Sequence, residues 1–298
     1  MNQEVYDQFI DANGIKISYR AFGEGLSPII FVHGFPFNKH MWQHQADFLG
    51  KSYHVITYDI RGFGKSTSQN FRPVSIDLFS EDLLALMDSL HIEKAVVCGF
   101  SMGGYIVMNA VKRFPDRFSA LILADTQSIG DSPDMKENRQ DAIVEISSFG
   151  LKSFAENFTK KLFSRASLKH NLQLVKTVKQ SILDTSPEAI IATLDALANR
   201  EPLCDSLHKI DVPTLIICGI EDQLTPLEQS VYLQQNIPNA VMEVVNKAGH
   251  LVNLEQPEKF NKIIYNFIEN LPHLSTIKLY GNENLIIEPS MGNEYLKD

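Results

Sequence analysis

Residues 95–114 leave this chain little conformational choice. Ala95-Val96-Val97-Cys98 is a short, wholly apolar run, the pattern of a strand covered on both faces. Gly99-Phe100-Ser101-Met102-Gly103 follows at once, and from Met102 to Phe114 the apolar residues recur with helical periodicity until Pro115 stops them. The sequence therefore predicts a strand, a sharp turn and a helix around G-x-S-x-G. Gly99 and Gly103 lack Cβ atoms, so strand and helix can close on each other around a strained turn. Ser101 sits at the tip, with its hydroxyl above the sheet. The start of the helix brings unpaired N–H donors and a positive dipole end to the same place. Ser101 is the candidate nucleophile.

The rest of the chain alternates around that unit. Asn13-Gly14, flanked by alternating apolar residues, predicts a hairpin over residues 9–20. Continuous apolar runs at 28–32, 53–58, 118–124, 214–218 and 240–245 read as further strands. Helical patterns fall at 40–49, 75–90, 226–237 and 257–271. Strands alternating with helices predict a mostly parallel central sheet with helices on both faces. Between 127 and 208 no strand-like run occurs. Ser132-Pro133-Asp134 and Ser186-Pro187-Glu188 are helix starts there, and about four helices are expected in this insertion. The expected organisation is a core of 1–126 and 209–271, a helical cap of 127–208 inserted after the sixth strand, and a C-terminal extension of 272–298. The extension reads as a loosely packed tail. A hairpin of Ile277-Lys-Leu-Tyr with Leu285-Ile-Ile, used in oligomer contacts, is the alternative.

Composition narrows the partners. The chain has 298 residues, enough for one α/β domain with an insertion or for two small domains. A net charge of −9 without a Lys/Arg cluster argues against nucleic acid. No apolar run approaches the length of a membrane span. Met1-Asn-Gln-Glu-Val-Tyr-Asp7 carries no basic-then-apolar leader pattern. Cys98, Cys204 and Cys218 have no C-x-x-C spacing, so they are expected to be free thiols in a cytoplasmic protein with no metal site. The oligomeric state is left open.

In a doubly wound sheet the functional groups gather at the carboxyl ends of the strands. A serine hydroxyl needs a general base within hydrogen-bond reach. Of nine histidines, His250 stands out: it lies in Lys247-Ala-Gly-His250-Leu251, a small-residue loop after the last core strand. His33 belongs to the turn after the strand at 28–32, and the other seven read as surface or packing residues. Asp222 is the candidate acid, with Glu221 and Asp125 as rivals. Asp59 to Ser66 ends in Gly64-Lys65-Ser66, but the first glycine of a phosphate loop is missing, and the stretch reads as a packing loop.

The order Ser101, Asp222, His250, together with His33-Gly34-Phe35-Pro36, Asp59-Ile-Arg61-Gly-Phe-Gly-Lys-Ser66, Gly99-Phe-Ser-Met-Gly-Gly104, Gly219-Ile-Glu-Asp222-Gln-Leu-Thr-Pro226 and Ala248-Gly-His250, resembles the α/β-hydrolases over about residues 9–271. The elbow and the His-Gly-Phe-Pro turn are most similar to the branch of β-ketoadipate enol-lactonases, small carboxylesterases and cofactor-free haloperoxidases. The resemblance implies a Ser-His-Asp triad acting on a small ester or lactone, with no cofactor. It also implies an oxyanion hole from the backbone N–H groups of Phe35 and Met102. Phe37, Trp42, Phe100, Leu224 and Leu251 are then expected to line an apolar substrate pocket. A substrate carboxylate would need a cation from the cap, for which Lys136, Arg139 and Arg165 are the candidates. Perhydrolysis on the same triad and a ligand receptor on a hydrolase fold are the alternatives.

Overall fold

A computed structural model describes residues 6–25, 28–66 and 74–271. The expectations for 272–298 lie outside the described residues. Eight strands form one sheet: β1 (Gln8–Ala12), β2 (Ile15–Phe22), β3 (Pro28–Val32), β4 (His54–Tyr58), β5 (Ala95–Phe100), β6 (Phe118–Ala124), β7 (Thr214–Gly219) and β8 (Ala240–Val245). Their order is β1-β2-β4-β3-β5-β6-β7-β8. β1 and β2 pair antiparallel as the expected hairpin, with Ala12 opposite Ile15 and positive φ at both turn residues, 47° at Asn13 and 74° at Gly14. β2 joins β4 antiparallel, and every later pairing is parallel.

The continuous apolar runs become the inner strands. Every residue of β5 and β7 is buried, which requires cover on both faces of the sheet. The cover comes from α1 (Gln43–Leu49), α2 (Ile76–Ser89), α3 (Met102–Arg113), α9 (Leu227–Asn236), α10 (Val252–Glu255) and α11 (Pro257–Glu269). α2 packs on α3, and α1 packs on α11. β8, at the sheet edge, alternates half-buried and exposed residues. The loop from Asp59 packs as expected: the fully buried Asp59 carboxylate accepts from Lys39 N (2.8 Å), Lys39 Nζ (2.7 Å) and Lys65 N (2.8 Å).

Between β6 and β7 the chain makes five α-helices rather than four: α4 (Pro133–Phe149), α5 (Leu151–Leu162), α6 (Arg165–His170), α7 (Leu172–Leu183) and α8 (Pro187–Ala198). Ser132 and Ser186 cap α4 and α8, each accepting a backbone N–H, with proline in the first turn. The extra element is the six-residue α6. Ser164 caps its start and Asn171 caps the helix that follows, so one helical pattern is cut into two. Among the described residues no helix is long and apolar enough to cross a membrane.

Candidate active site

The turn between β5 and α3 carries the strain its sequence implies. Ser101 has φ 52° and ψ −113°, a left-handed conformation that a side chain adopts only under constraint. A Cβ on Gly99 would run into the Gly103 backbone, and one on Gly103 into the carbonyl of Val32. The end of β6 holds the turn: Ser101 N donates to Ala124 O (2.9 Å), and Thr126 Oγ1 donates to Ser101 O (2.8 Å).

The structure brings Ser101, His250 and Asp222 into one hydrogen-bonded chain, although 121 and 28 positions of sequence separate them. Ser101 Oγ lies 2.9 Å from His250 Nε2, and His250 Nδ1 lies 2.8 Å from Asp222 Oδ2. The imidazole is buried and packs against Phe100, with ring centroids 5.0 Å apart. Asp222 is held from both sides. Its Oδ1 accepts from Leu224 N (2.8 Å) and Thr225 N (3.1 Å), and its Oδ2 also accepts from Thr225 Oγ1 (2.6 Å). Burial pushes this carboxyl up, but the His250 ring and the Thr225 hydrogen bonds outweigh burial and hold it below the usual carboxylate range.

The rival acids point elsewhere. Asp125 is fully buried and braces the loops of the other two residues: Oδ1 accepts from Gly219 N (2.8 Å) and Oδ2 from Val252 N (3.3 Å). Burial, then the charge of Asp222, push its carboxyl well above the usual range. Glu221 turns outward and accepts from Arg165 N at 3.0 Å. His33 is structural: Nδ1–H donates to Gly34 O (3.0 Å) and Nε2 accepts from Ile60 N (2.9 Å). Burial lowers its pKa to about 4, so the ring stays neutral and fixes the turn that carries Phe35. Neither the Phe35 nor the Met102 backbone N–H is spent on a hydrogen bond among the described residues. Thr185 Oγ1 donates to Pro36 O (3.0 Å), tying the segment between α7 and α8 to that turn.

A cavity of about 110 Å³ opens beside Ser101. Phe35, Met102 and Leu224 line it, as expected. Phe37 does not: it borders a separate groove, about 590 Å³, against α7. Trp42, Phe100 and Leu251 are corrected to core residues, each with no exposed surface. Trp42 packs among Phe31, Phe100 and Phe260, and Phe100 fills the space over Gly34, so neither can face a substrate. The wall they were expected to form comes from Tyr105, Gln127, Met135, Phe158, Leu194 and Leu197. Most of these sit in the insertion, where helical periodicity marks an apolar face without saying what it covers. Of the three candidate cations only Arg139 reaches this cavity. It is ion-paired with buried Asp131, which Arg200 also contacts at 2.5 Å, so two guanidiniums share one carboxylate. Lys136 borders a neighbouring surface pocket, and the backbone of Arg165 meets Glu221.

A strained serine between a parallel strand and a helix, facing a buried imidazole and carboxylate in that chain order, defines an α/β hydrolase. The family model for the alpha/beta hydrolase fold matches residues 27–257, and the chain belongs to that family. It is 30% identical over 257 residues to 3-oxoadipate enol-lactonase 2 of Acinetobacter baylyi, covering 86% of this chain and 94% of that protein. It is 31% identical to a putative non-heme chloroperoxidase of Synechocystis, over 86% of this chain and 95% of the relative. Among solved structures, a thermophilic esterase from Thermogutta terrifontis superposes with a TM-score of 0.85 at 30% identity, covering 89% of this chain and 99% of that one.

Proposed function

We propose that the protein is a serine hydrolase that cleaves small carboxylic esters or lactones through an acyl-enzyme intermediate. Its family and its enol-lactonase and esterase relatives make it an ester-acting α/β hydrolase. The observation that carries the mechanism is the unbroken chain from Ser101 Oγ through His250 to Asp222, opening on a cavity.

In this reading Ser101 Oγ attacks the carbonyl carbon while its proton passes to His250 Nε2. Asp222 keeps the other ring proton on Nδ1 and stabilises the imidazolium. The Phe35 and Met102 amides take the negative charge on the carbonyl oxygen, each donor being worth about 3–4 kcal/mol in the transition state. The tetrahedral species collapses as His250 gives its proton to the leaving alkoxide or enolate. A water, deprotonated by the same nitrogen, then attacks the acyl-enzyme and returns Ser101 to its hydroxyl form. Residues 127–208 act as a cap over a core of 1–126 and 209–271, supported by the cavity residues that α4, α5 and α8 supply. Arg139 gives that cavity the cation a carboxylate-bearing lactone calls for.

The chloroperoxidase relative favours a second reaction on the same residues, in which hydrogen peroxide replaces water in the second step and releases a peracid. The test is a panel of p-nitrophenyl esters and lactones of graded acyl length, with and without peroxide, on wild type and Ser101→Ala. Loss of turnover and of fluorophosphonate labelling in the variant is expected. Unchanged hydrolysis without Ser101 removes the mechanism.

A further inference from the structure

A second cavity lies behind the first. It has about 130 Å³ and is bounded by the start of α2, the middle of α3, the segment after β6 and the end of α8. Tyr105 and Gln127 line both cavities, so these two side chains form the partition between them. Tyr105 lies one turn along α3 from Ser101, and its own amide donates back to Ser101 O at 3.4 Å. Its ring is fixed: the Arg200 guanidinium stacks 4.5 Å from the ring centroid, and Arg200 is itself bound to Asp131 (2.5 Å), Leu197 O (2.7 Å) and Ile129 O (2.9 Å).

The two spaces differ in chemistry. The near one is walled mainly by Phe35, Met102, Phe158, Leu194, Leu197 and Leu224. The far one is lined by Asp77, Asp195 and Glu201, all exposed, and by Asn109, whose Nδ2 donates to Asp77 Oδ1 (2.8 Å), so it lies at the protein surface.

We propose that Tyr105, backed by Gln127, is the specificity-determining floor of the acyl pocket and sets the longest acyl chain that the pocket takes. The inference rests on the serine-hydrolase reading of Ser101. The near cavity of about 110 Å³ fits a short acyl chain, and opening the partition would add the 130 Å³ beyond it.

The test uses p-nitrophenyl acetate, butyrate and octanoate on wild type, Tyr105→Ala and Gln127→Ala, with fluorophosphonate labelling of Ser101 measured in each. Wild type is expected to prefer the short esters. Removal of the Tyr105 ring should raise kcat/KM for the octanoate relative to butyrate at least tenfold. Gln127→Ala, which leaves α3 intact, should move the ratio in the same direction if Tyr105→Ala does not fold. A length profile unchanged within twofold in a folded, labelled variant overturns the floor. Failure of wild-type Ser101 to label refutes the catalytic reading instead.

Discussion

Replacing Asp222 by Asn separates the proposed triad acid from its buried neighbour. The surroundings decide how the new amide sits. Leu224 N and Thr225 N both donate to Oδ1, so the amide oxygen must occupy that position. The reverse orientation would set an NH2 group against two N–H donors and forfeit both hydrogen bonds, each worth about 0.5–1.5 kcal/mol to a neutral acceptor. The NH2 group therefore takes the Oδ2 position, facing His250 Nδ1 and Thr225 Oγ1. The threonine hydroxyl can turn and accept. His250 cannot keep a proton on Nδ1 against an amide donor, so its proton moves to Nε2, the nitrogen that must accept from Ser101. The geometry survives while the tautomer is wrong, and that combination lowers kcat by about 10⁴ in a serine protease, or about 5 kcal/mol of barrier.

Asp125→Asn is the matched control. Its amide oxygen keeps the shorter bond from Gly219 N, and its NH2 meets Val252 N–H. One hydrogen bond is lost, costing about 1–3 kcal/mol of stability, while the chain from Ser101 to Asp222 stays whole. The expected result is a lower urea midpoint with less than a tenfold change in kcat on p-nitrophenyl butyrate. For Asp222→Asn the expected result is a loss near four orders of magnitude with little change in midpoint. The reverse pattern, with the large kinetic loss at Asp125, would refute the assignment of the acid while leaving Ser101 and His250 in place.

Glu255 links the segment between α5 and α6 to the loop that carries His250, with Oε1 accepting from Gly249 N (2.6 Å) and Oε2 from Ser164 N (3.0 Å) and Ser164 Oγ (2.7 Å). Glu255→Gln must oppose an NH2 to one of those amides, so a stability loss of about 1–3 kcal/mol is expected by urea denaturation, with kcat lowered several-fold. His33 gives the fold an acid-side weakness. Its pKa falls from 6.5 to about 4 on burial, so the unfolded chain binds a proton that the folded chain refuses, and stability drops as pH falls through that window. A loss of about 1.5 kcal/mol between pH 6.5 and about pH 5 is expected from urea midpoints, and a flat profile there contradicts the buried neutral ring. Arg139→Met should raise KM for an ester with an acyl-chain carboxylate at least fivefold more than for its neutral methyl-capped analogue. Equal effects on both esters would show that Asp131 fully neutralises the guanidinium.

Much of the sheet is legible in the sequence because its signals are local. An apolar run, a glycine pair or a proline constrains the backbone within a few residues, and β3, β5, β6 and β7 form where such runs lie. Asp222 and His250 are legible for a related reason. Each follows a strand end, and parallel pairing from β3 onward brings the carboxyl ends of those strands to one edge of the sheet. Asp125 sits at such an end as well, so position alone cannot rank it against Asp222. What ranks them is the direction of their hydrogen bonds, a tertiary property.

The pocket wall was not legible, and Trp42 and Phe100 show why. Both are large, apolar and close in sequence to proposed site residues, and those features describe a core position and a pocket position equally well. The two differ only in what opposes them. For Trp42 the opposing groups are the rings of Phe31, Phe100 and Phe260, brought together by β3, β5 and α11. For Phe158 and Leu194 the opposing element is the strained turn at Ser101, whose fixed shape a helix cannot fill, and the space left over is the cavity. Tyr105 makes the same point from the other side. Its helical periodicity assigns it to the core face of α3, and it is buried there, yet its ring, held under Arg200, also lines two cavities. Burial is thus encoded residue by residue. A pocket arises where the insertion fails to fill the surface of the core, and that mismatch belongs to no single segment of the chain.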